Sequence, residues 1–311
     1  MNRPDRIKKS IIFVSVLLSV TALFFFIFFQ TSSDSDRSSF SGVVKMKNGK
    51  KLSQFDNPLL LQILFHPRPE LPGFFSKNEF TDLTIPVEDG ISIGGRFYSA
   101  GKDKPVILFF HGNGEIVQDY DDLAPFFIKL GVNFLPVDYR GYGRSTGRPT
   151  VSGMLEDSHK IFLFTVKWLR QNGYNGPLVV MGRSLGSASA LELVAGHHDQ
   201  IDGLIIESGF ANALFLLKTL GIDPNSLGIS SDSEFSNTEK IKKFTGPTLV
   251  IHAEYDHIIP FSDGKALFES SRSKNKRFLK IPSADHNTIF YYGMEDYLAE
   301  VGILIKTIKK P

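Results

Sequence analysis

The 311-residue chain has no cysteine. Disulfides, cysteine nucleophiles and thiolate metal sites are therefore excluded, though the compartment stays open. Charge of neither sign dominates: 35 lysines and arginines face 33 aspartates and glutamates, a formal net charge of +2. The basic residues are scattered, so no nucleic-acid partner is expected. No His-x-x-x-His or clustered carboxylate spacing calls for a metal, and no cofactor is expected. Internal repeats are absent. What is abundant is phenylalanine, with 28 residues, read most simply as core.

Residues 11–29 carry no charge and are broken only by Ser15, Ser19 and Thr21. As a helix they would extend about 28 Å, close to a bilayer core. Arg3, Arg6, Lys8 and Lys9 precede the run; Asp34 and Asp36 follow it, opposed only by Arg37. Positive charge stays on the cytoplasmic side, so the rest of the chain is expected outside the cytoplasm. The run is long and phenylalanine-rich and ends without a small-x-small site, which favours an uncleaved signal-anchor over a signal peptide. The expected organisation is a cytoplasmic N-terminus (1–10), a transmembrane segment (11–29), a tether and membrane-proximal stretch (30–76) and a catalytic domain (77–311).

Residues 31–41, rich in serine and aspartate, read as tether. The apolar residues of 52–76 have two placements, on the domain or at the membrane interface, of which packing on the domain is simpler. Two antiparallel strands are expected at 80–87 and 91–98, joined by Glu88-Asp89-Gly90. Strands near 106–110, 132–137, 178–181, 203–206, 247–252 and 277–281 then alternate with helices near 118–130, 152–171, 185–196, 262–271 and 294–309. That alternation predicts an α/β fold with a mainly parallel sheet and helices on both faces.

Gly-x-Ser-x-Gly occurs twice, so context must decide. Around Ser145 the pattern sits in a glycine-rich loop running into Arg148 and Pro149, with no strand leading directly into it. Around Ser184 an apolar strand (178–181) enters Gly182-Arg183-Ser184-Leu185-Gly186, and a small-residue helix leaves it. Such a strand–turn–helix pushes a serine hydroxyl out of the fold. A serine needs a base, and the base needs an orienting carboxylate. His286 is the only histidine after residue 257 and follows a predicted strand. His66, His111, His159, His197, His198 and His252 read as helix-end, helix-face or loop residues. Asp256 ends the strand at 247–252 and is the expected acid on the chain order Ser, Asp, His; Glu207, ending the neighbouring strand, is the alternative, and Glu254 reads as a loop carboxylate. Oxyanion donors are expected from the backbone N–H of Leu185 and of Asn113, in the turn after 106–110.

His111-Gly112-Asn113-Gly114, Asp138 to Ser145, the Ser184 pentapeptide, Asp256 and Asp285-His286 stand in an order that resembles the α/β-hydrolase superfamily. The similarity extends over roughly residues 77–309, most strongly to its membrane-anchored serine hydrolases with a single N-terminal span. It implies Ser184 as nucleophile, Asp256 as acid, His286 as base and Asn113 with Leu185 as oxyanion hole. Two features depart from that pattern. The cysteine cluster used by lipidated relatives is missing, which argues against that anchoring and its depalmitoylase substrate. The stretch between Glu207 and Lys240 is short, holding one apolar run (211–220) and a polar loop (230–237), so a small cap and a fairly open site are expected.

These readings converge on a serine hydrolase that cleaves an ester or thioester through an acyl-enzyme, with a lipid-like acyl substrate. A peptidase or amidase, an acyltransferase on the same residues, and a non-catalytic binding member are the alternatives.

Overall fold

A computed structural model describes residues 46–47, 50–51, 53–72, 78–231 and 234–308. The predicted transmembrane segment lies outside the described residues. Among the described residues no helix is long and apolar enough to cross a membrane.

A small ladder pairs β1 (Met46–Lys47) with β2 (Lys50–Lys51). The main sheet has eight strands: β3 (Thr81–Glu88), β4 (Ile91–Phe97), β5 (Val106–Phe110), β6 (Asn133–Val137), β7 (Leu178–Arg183), β8 (Gly203–Glu207), β9 (Thr248–Ala253) and β10 (Lys276–Ile281). Their spatial order is β10-β9-β8-β7-β5-β6-β4-β3. The pairings from β6 through β10 are parallel, whereas β3 and β4 run antiparallel. The chain steps from β5 outward to β6, then returns to the other side of β5 as β7. Strand order reverses there, and the carboxyl ends of β5 and β7 open the crevice where such sheets bind ligands.

Alternate side chains of the central strands enter two separate cores. Val106, Leu108 and Phe110 face one, and Ile107 and Phe109 face the other. Both faces are thus covered, which is why these strands read as continuous apolar runs rather than alternating ones. β3, at the sheet edge, does alternate, every second residue being exposed. Helices α3 (Val151–Gln171), α4 (Gly186–His197) and α7 (Phe261–Ser270) pack on the first face, α2 (Ala124–Lys129) and α8 (Ile289–Thr307) on the second.

Two helices depart from the pattern read in the sequence. The expected helix at 118–130 is a 3-10 turn (Val117–Tyr120) followed by α2, with Pro125 inside the first turn of α2. Proline has no N–H to continue a preceding helix but fits a new first turn. The helix expected from 294 begins at Ile289, with non-helical backbone at Gly293. Its extra turn is real but kinked away from the rest.

Residues 53–72 lie on the domain. They form a 3-10 turn (Gln54–Asp56) and α1 (Pro58–Leu64), capped by Asn57, whose side chain accepts from the Leu59 N–H. Phe55, Leu60 and Phe65 are buried in the first core. Of the two placements open to this apolar stretch, it takes the domain.

Candidate active site

The elbow is built by backbone crowding. A Cβ on Gly186 would lie 2.1 Å from the Phe110 carbonyl oxygen, and one on Gly182 2.3 Å from the Gly186 carbonyl. Only glycine lets α4 start this close to β5 and β7. Ser184 between them has φ +50°, a left-handed conformation that strains a residue with a Cβ. Its N–H donates to the Glu207 carbonyl (2.8 Å), and its own carbonyl accepts from the Ser187 hydroxyl (2.6 Å).

The side chains expected to work together do meet. Ser184 Oγ is 2.9 Å from His286 Nε2, and His286 Nδ1 is 2.7 Å from Asp256 Oδ2. The remaining oxygen of Asp256 accepts from the N–H groups of Ile258 (3.1 Å) and Ile259 (2.8 Å). That fixes the carboxylate and, through it, the imidazole tautomer with Nε2 free to accept from Ser184. Burial pushes the Asp256 carboxyl up, but the facing His286 and these hydrogen bonds overcome it and hold it at about 2. Glu207, the alternative acid, is engaged elsewhere: it accepts from Arg183 (2.7 Å) and Tyr297 (2.7 Å). Glu254 pairs with Lys280 at the surface.

Asn113 lies at the carboxyl end of β5. Its side chain is locked: Oδ1 accepts from the His66 N–H (2.9 Å) and the Tyr142 hydroxyl (2.8 Å), and Nδ2 donates to the His66 ring (3.0 Å). Among the described residues the backbone N–H groups of Asn113 and Leu185 have no acceptor. Two unpaired donors bordering one serine can hold an oxyanion, helped by the positive end of α4.

Three of the buried or half-buried histidines have structural partners. His111 contacts Asp138 (3.2 Å), His159 contacts His197 (2.9 Å), and His252 meets the Ile259 carbonyl (2.9 Å). The second Gly-x-Ser-x-Gly is a loop with positive φ at Gly143 and Gly147. There Ser145 Oγ accepts from the Gly94 N–H (2.9 Å), and among the described residues no histidine contacts it.

The site is less open than the short 207–240 stretch predicts. Ser184, His286 and Asp256 keep only 7%, 5% and 8% of their surface exposed. The cap itself is small: α5 (Ala213–Thr219), a 3-10 turn (Pro224–Leu227) and α6 (Asn237–Ile241). Asn237, expected in a polar loop, starts α6 and donates to the Phe210 carbonyl (2.8 Å). Further lining comes from the N-terminal side, where Phe55, Ile63 and Leu64 line the same cleft as Leu216, Leu217 and Leu220. Including its solvent-open mouth, the cleft encloses about 620 Å³ and reaches Ser184 and Asn113.

Sequence reasoning missed the charges beneath the site. Arg183, Glu115 and Glu207 are buried together. Burial pushes the Glu115 carboxyl up, but the Arg183 guanidinium and the Tyr120 hydroxyl outweigh it and hold it at about 2. A carboxyl held this low contributes stability in full above its unfolded-state value, about pH 4, and loses it as pH falls toward its folded value. Melting temperatures measured from about pH 6 to about pH 2 are expected to fall most steeply below about pH 4. Asp256→Asn should flatten that decline; an unchanged slope would mean Asp256 is not held low.

Comparison with known proteins gives the same fold. Residues 101–214 match the family model described as serine aminopeptidase, S33. The chain is 29% identical over 211 residues to protein bem46 of Schizosaccharomyces pombe, spanning 64% of this chain and 69% of that protein. It is 34% identical over 193 residues to the lysophosphatidylserine lipase ABHD12 of Danio rerio, spanning 55% of this chain but 48% of the lipase. The chain thus spans about half the length of that lipase. Among solved structures, the Pyrococcus furiosus esterase Pf2001 superposes with TM-score 0.63 at 23% identity, covering 78% of this chain and 98% of the esterase. A monoglyceride lipase from Saccharomyces cerevisiae superposes with TM-score 0.58 at 17% identity, covering 76% and 99%.

Proposed function

We propose that this chain, similar to serine hydrolases of the α/β-hydrolase superfamily, cleaves carboxylic esters of lipid-like acyl chains through an acyl-enzyme on Ser184. The carrying observation is the Ser184–His286–Asp256 chain of contacts, whose serine lines an apolar cleft. His286 Nε2 takes the Ser184 proton as Oγ attacks the acyl carbonyl carbon. Asp256 holds the resulting imidazolium. The N–H groups of Asn113 and Leu185 receive the oxyanion, and collapse of the tetrahedral intermediate expels the alcohol, protonated by His286. A water molecule, deprotonated by His286, then attacks the acyl-enzyme and releases the acid.

The cleft wall supports an acyl chain as the recognised part. The described residues lining it are apolar except for Asn113 and Ser184. An aminopeptidase, the activity in the matched family's description, needs a carboxylate to pair with a substrate ammonium, and none of those lining residues supplies one. The lipase relatives point the same way. A fluorophosphonate probe is expected to label the wild type and not Ser184→Ala. Equal labelling of the two would refute the assignment.

The N-terminal run at 11–29 fits this substrate, since it would hold the domain beside its lipid source. We assign the domain to the extracytoplasmic side. Protease added to sealed vesicles of known orientation should digest the domain only from that side; digestion only from the cytoplasmic side reverses the orientation.

A further inference from the structure

Arg183 occupies the variable position of the elbow, between Gly182 and Ser184. An arginine ending a strand ordinarily turns to water, yet this one is 7% exposed. Its Nε donates to Glu115 Oε1 (2.8 Å), one terminal nitrogen to Glu207 Oε1 (2.7 Å) and the other to the His286 backbone carbonyl (3.0 Å). The second oxygens of both carboxylates are also used. Glu115 Oε2 accepts from the Gly112 N–H (2.7 Å) and the Tyr120 hydroxyl, and Glu207 Oε2 accepts from the Tyr297 hydroxyl (2.7 Å).

Each arm therefore ends on a different working loop. Gly112 precedes Asn113, an oxyanion donor in the proposed reaction. Glu207 supplies the backbone carbonyl that receives the Ser184 N–H. His286 is the base itself. Arg183 does not line the cleft, so it acts only through these neighbours. Stability alone does not account for the arrangement. A buried ion triad costs desolvation that apolar residues of equal volume would avoid. What apolar packing lacks is direction: a planar guanidinium fixes three acceptors at set angles.

We infer that Arg183 is a positioning residue, a buried brace that sets the Asn113 loop, the Ser184 elbow and the His286 loop in mutual register. This rests on the catalytic reading of those three residues. Asn113, Ser184 and His286 sit on segments far apart in sequence, and the alignment they need tolerates little error. The brace couples them without touching substrate.

Arg183→Lys keeps the charge and loses the planar fork. Fluorophosphonate titration counts reactive Ser184, so kcat is expressed per labelled site and folding losses cancel. The expected result is a fall in kcat per labelled site of about 10- to 100-fold with KM unchanged. Tyr297→Phe, which removes one support from Glu207, should lower it about threefold. If Arg183 were merely structural, both variants would show fewer labelled sites, each turning over at the wild-type rate, and the inference would be overturned. Should Arg183→Lys give no labelled protein, Tyr297→Phe decides, and wild-type kcat per site there overturns it as well. A wild type that never labels is a different failure: it removes the catalytic reading of Ser184 and the brace with it.

Discussion

Ser184→Ala is expected to fold and to lose about six orders of magnitude in kcat. The estimate follows from the role proposed for the hydroxyl: if Oγ forms the acyl-enzyme, its removal leaves only the proposed oxyanion donors and the cleft. Asp256→Asn should cost about four orders, because an amide favours the wrong His286 tautomer. Asp256 is set apart from Glu207 by its 2.7 Å contact to His286 Nδ1. The strained backbone adds a second readout. At φ +50° a glycine fits better than an alanine. Ser184→Gly and Ser184→Ala lose the same hydroxyl, yet the glycine variant should be more stable by about 1 kcal/mol in urea unfolding. Equal stabilities would mean that the elbow is not strained, and catalysis retained by Ser184→Ala would mean that another nucleophile serves.

Much of this site is legible in the sequence because its parts follow local rules. An apolar strand, a glycine pair and a small-residue helix define the elbow within a dozen residues around Ser184. Asp256 and His286 follow the carboxyl ends of β9 and β10, and chain order orders them. The sheet is legible for the same reason, since strands covered on both faces leave unbroken apolar runs.

What was hidden is non-local. Arg183 and Glu115 are separated by 68 positions and still make a direct contact. In sequence each reads as an ordinary surface charge, and nothing local marks the pair as buried. The lining supplied by Phe55, Ile63 and Leu64 is of the same kind, lying far upstream of the cap residues that share the cleft. The split of 118–130 was legible in principle: Pro125 marks a helix start, but the apolar periodicity continues through it and hides the break.

Gly186→Ala should be strongly destabilising for so small a substitution. Its Cβ would meet the Phe110 carbonyl oxygen at 2.1 Å, the Phe110 carbonyl carbon at 2.6 Å and the His111 carbonyl oxygen at 2.8 Å. All three belong to backbone, so no side chain can swing aside; α4 or the end of β5 has to move. Overpacking against rigid backbone costs about 3 kcal/mol or more, a large part of the roughly 5–15 kcal/mol that holds a domain folded. The shift also lands on the segment leading to Asn113, so kcat should fall in whatever protein remains folded. Gly302→Ala is the matched control. Gly302 lies within α8, where the nearest atom to a new Cβ is Leu130 Cδ2 at 3.9 Å. There the methyl meets ordinary contact, and the gain in helix propensity should stabilise by about 0.5–1 kcal/mol. One substitution type thus carries opposite signs at two helical sites, and urea denaturation measures both. If Gly186→Ala unfolds within about 1 kcal/mol of the wild type, α4 does not press on β5, and the bend presenting Ser184 loses its support.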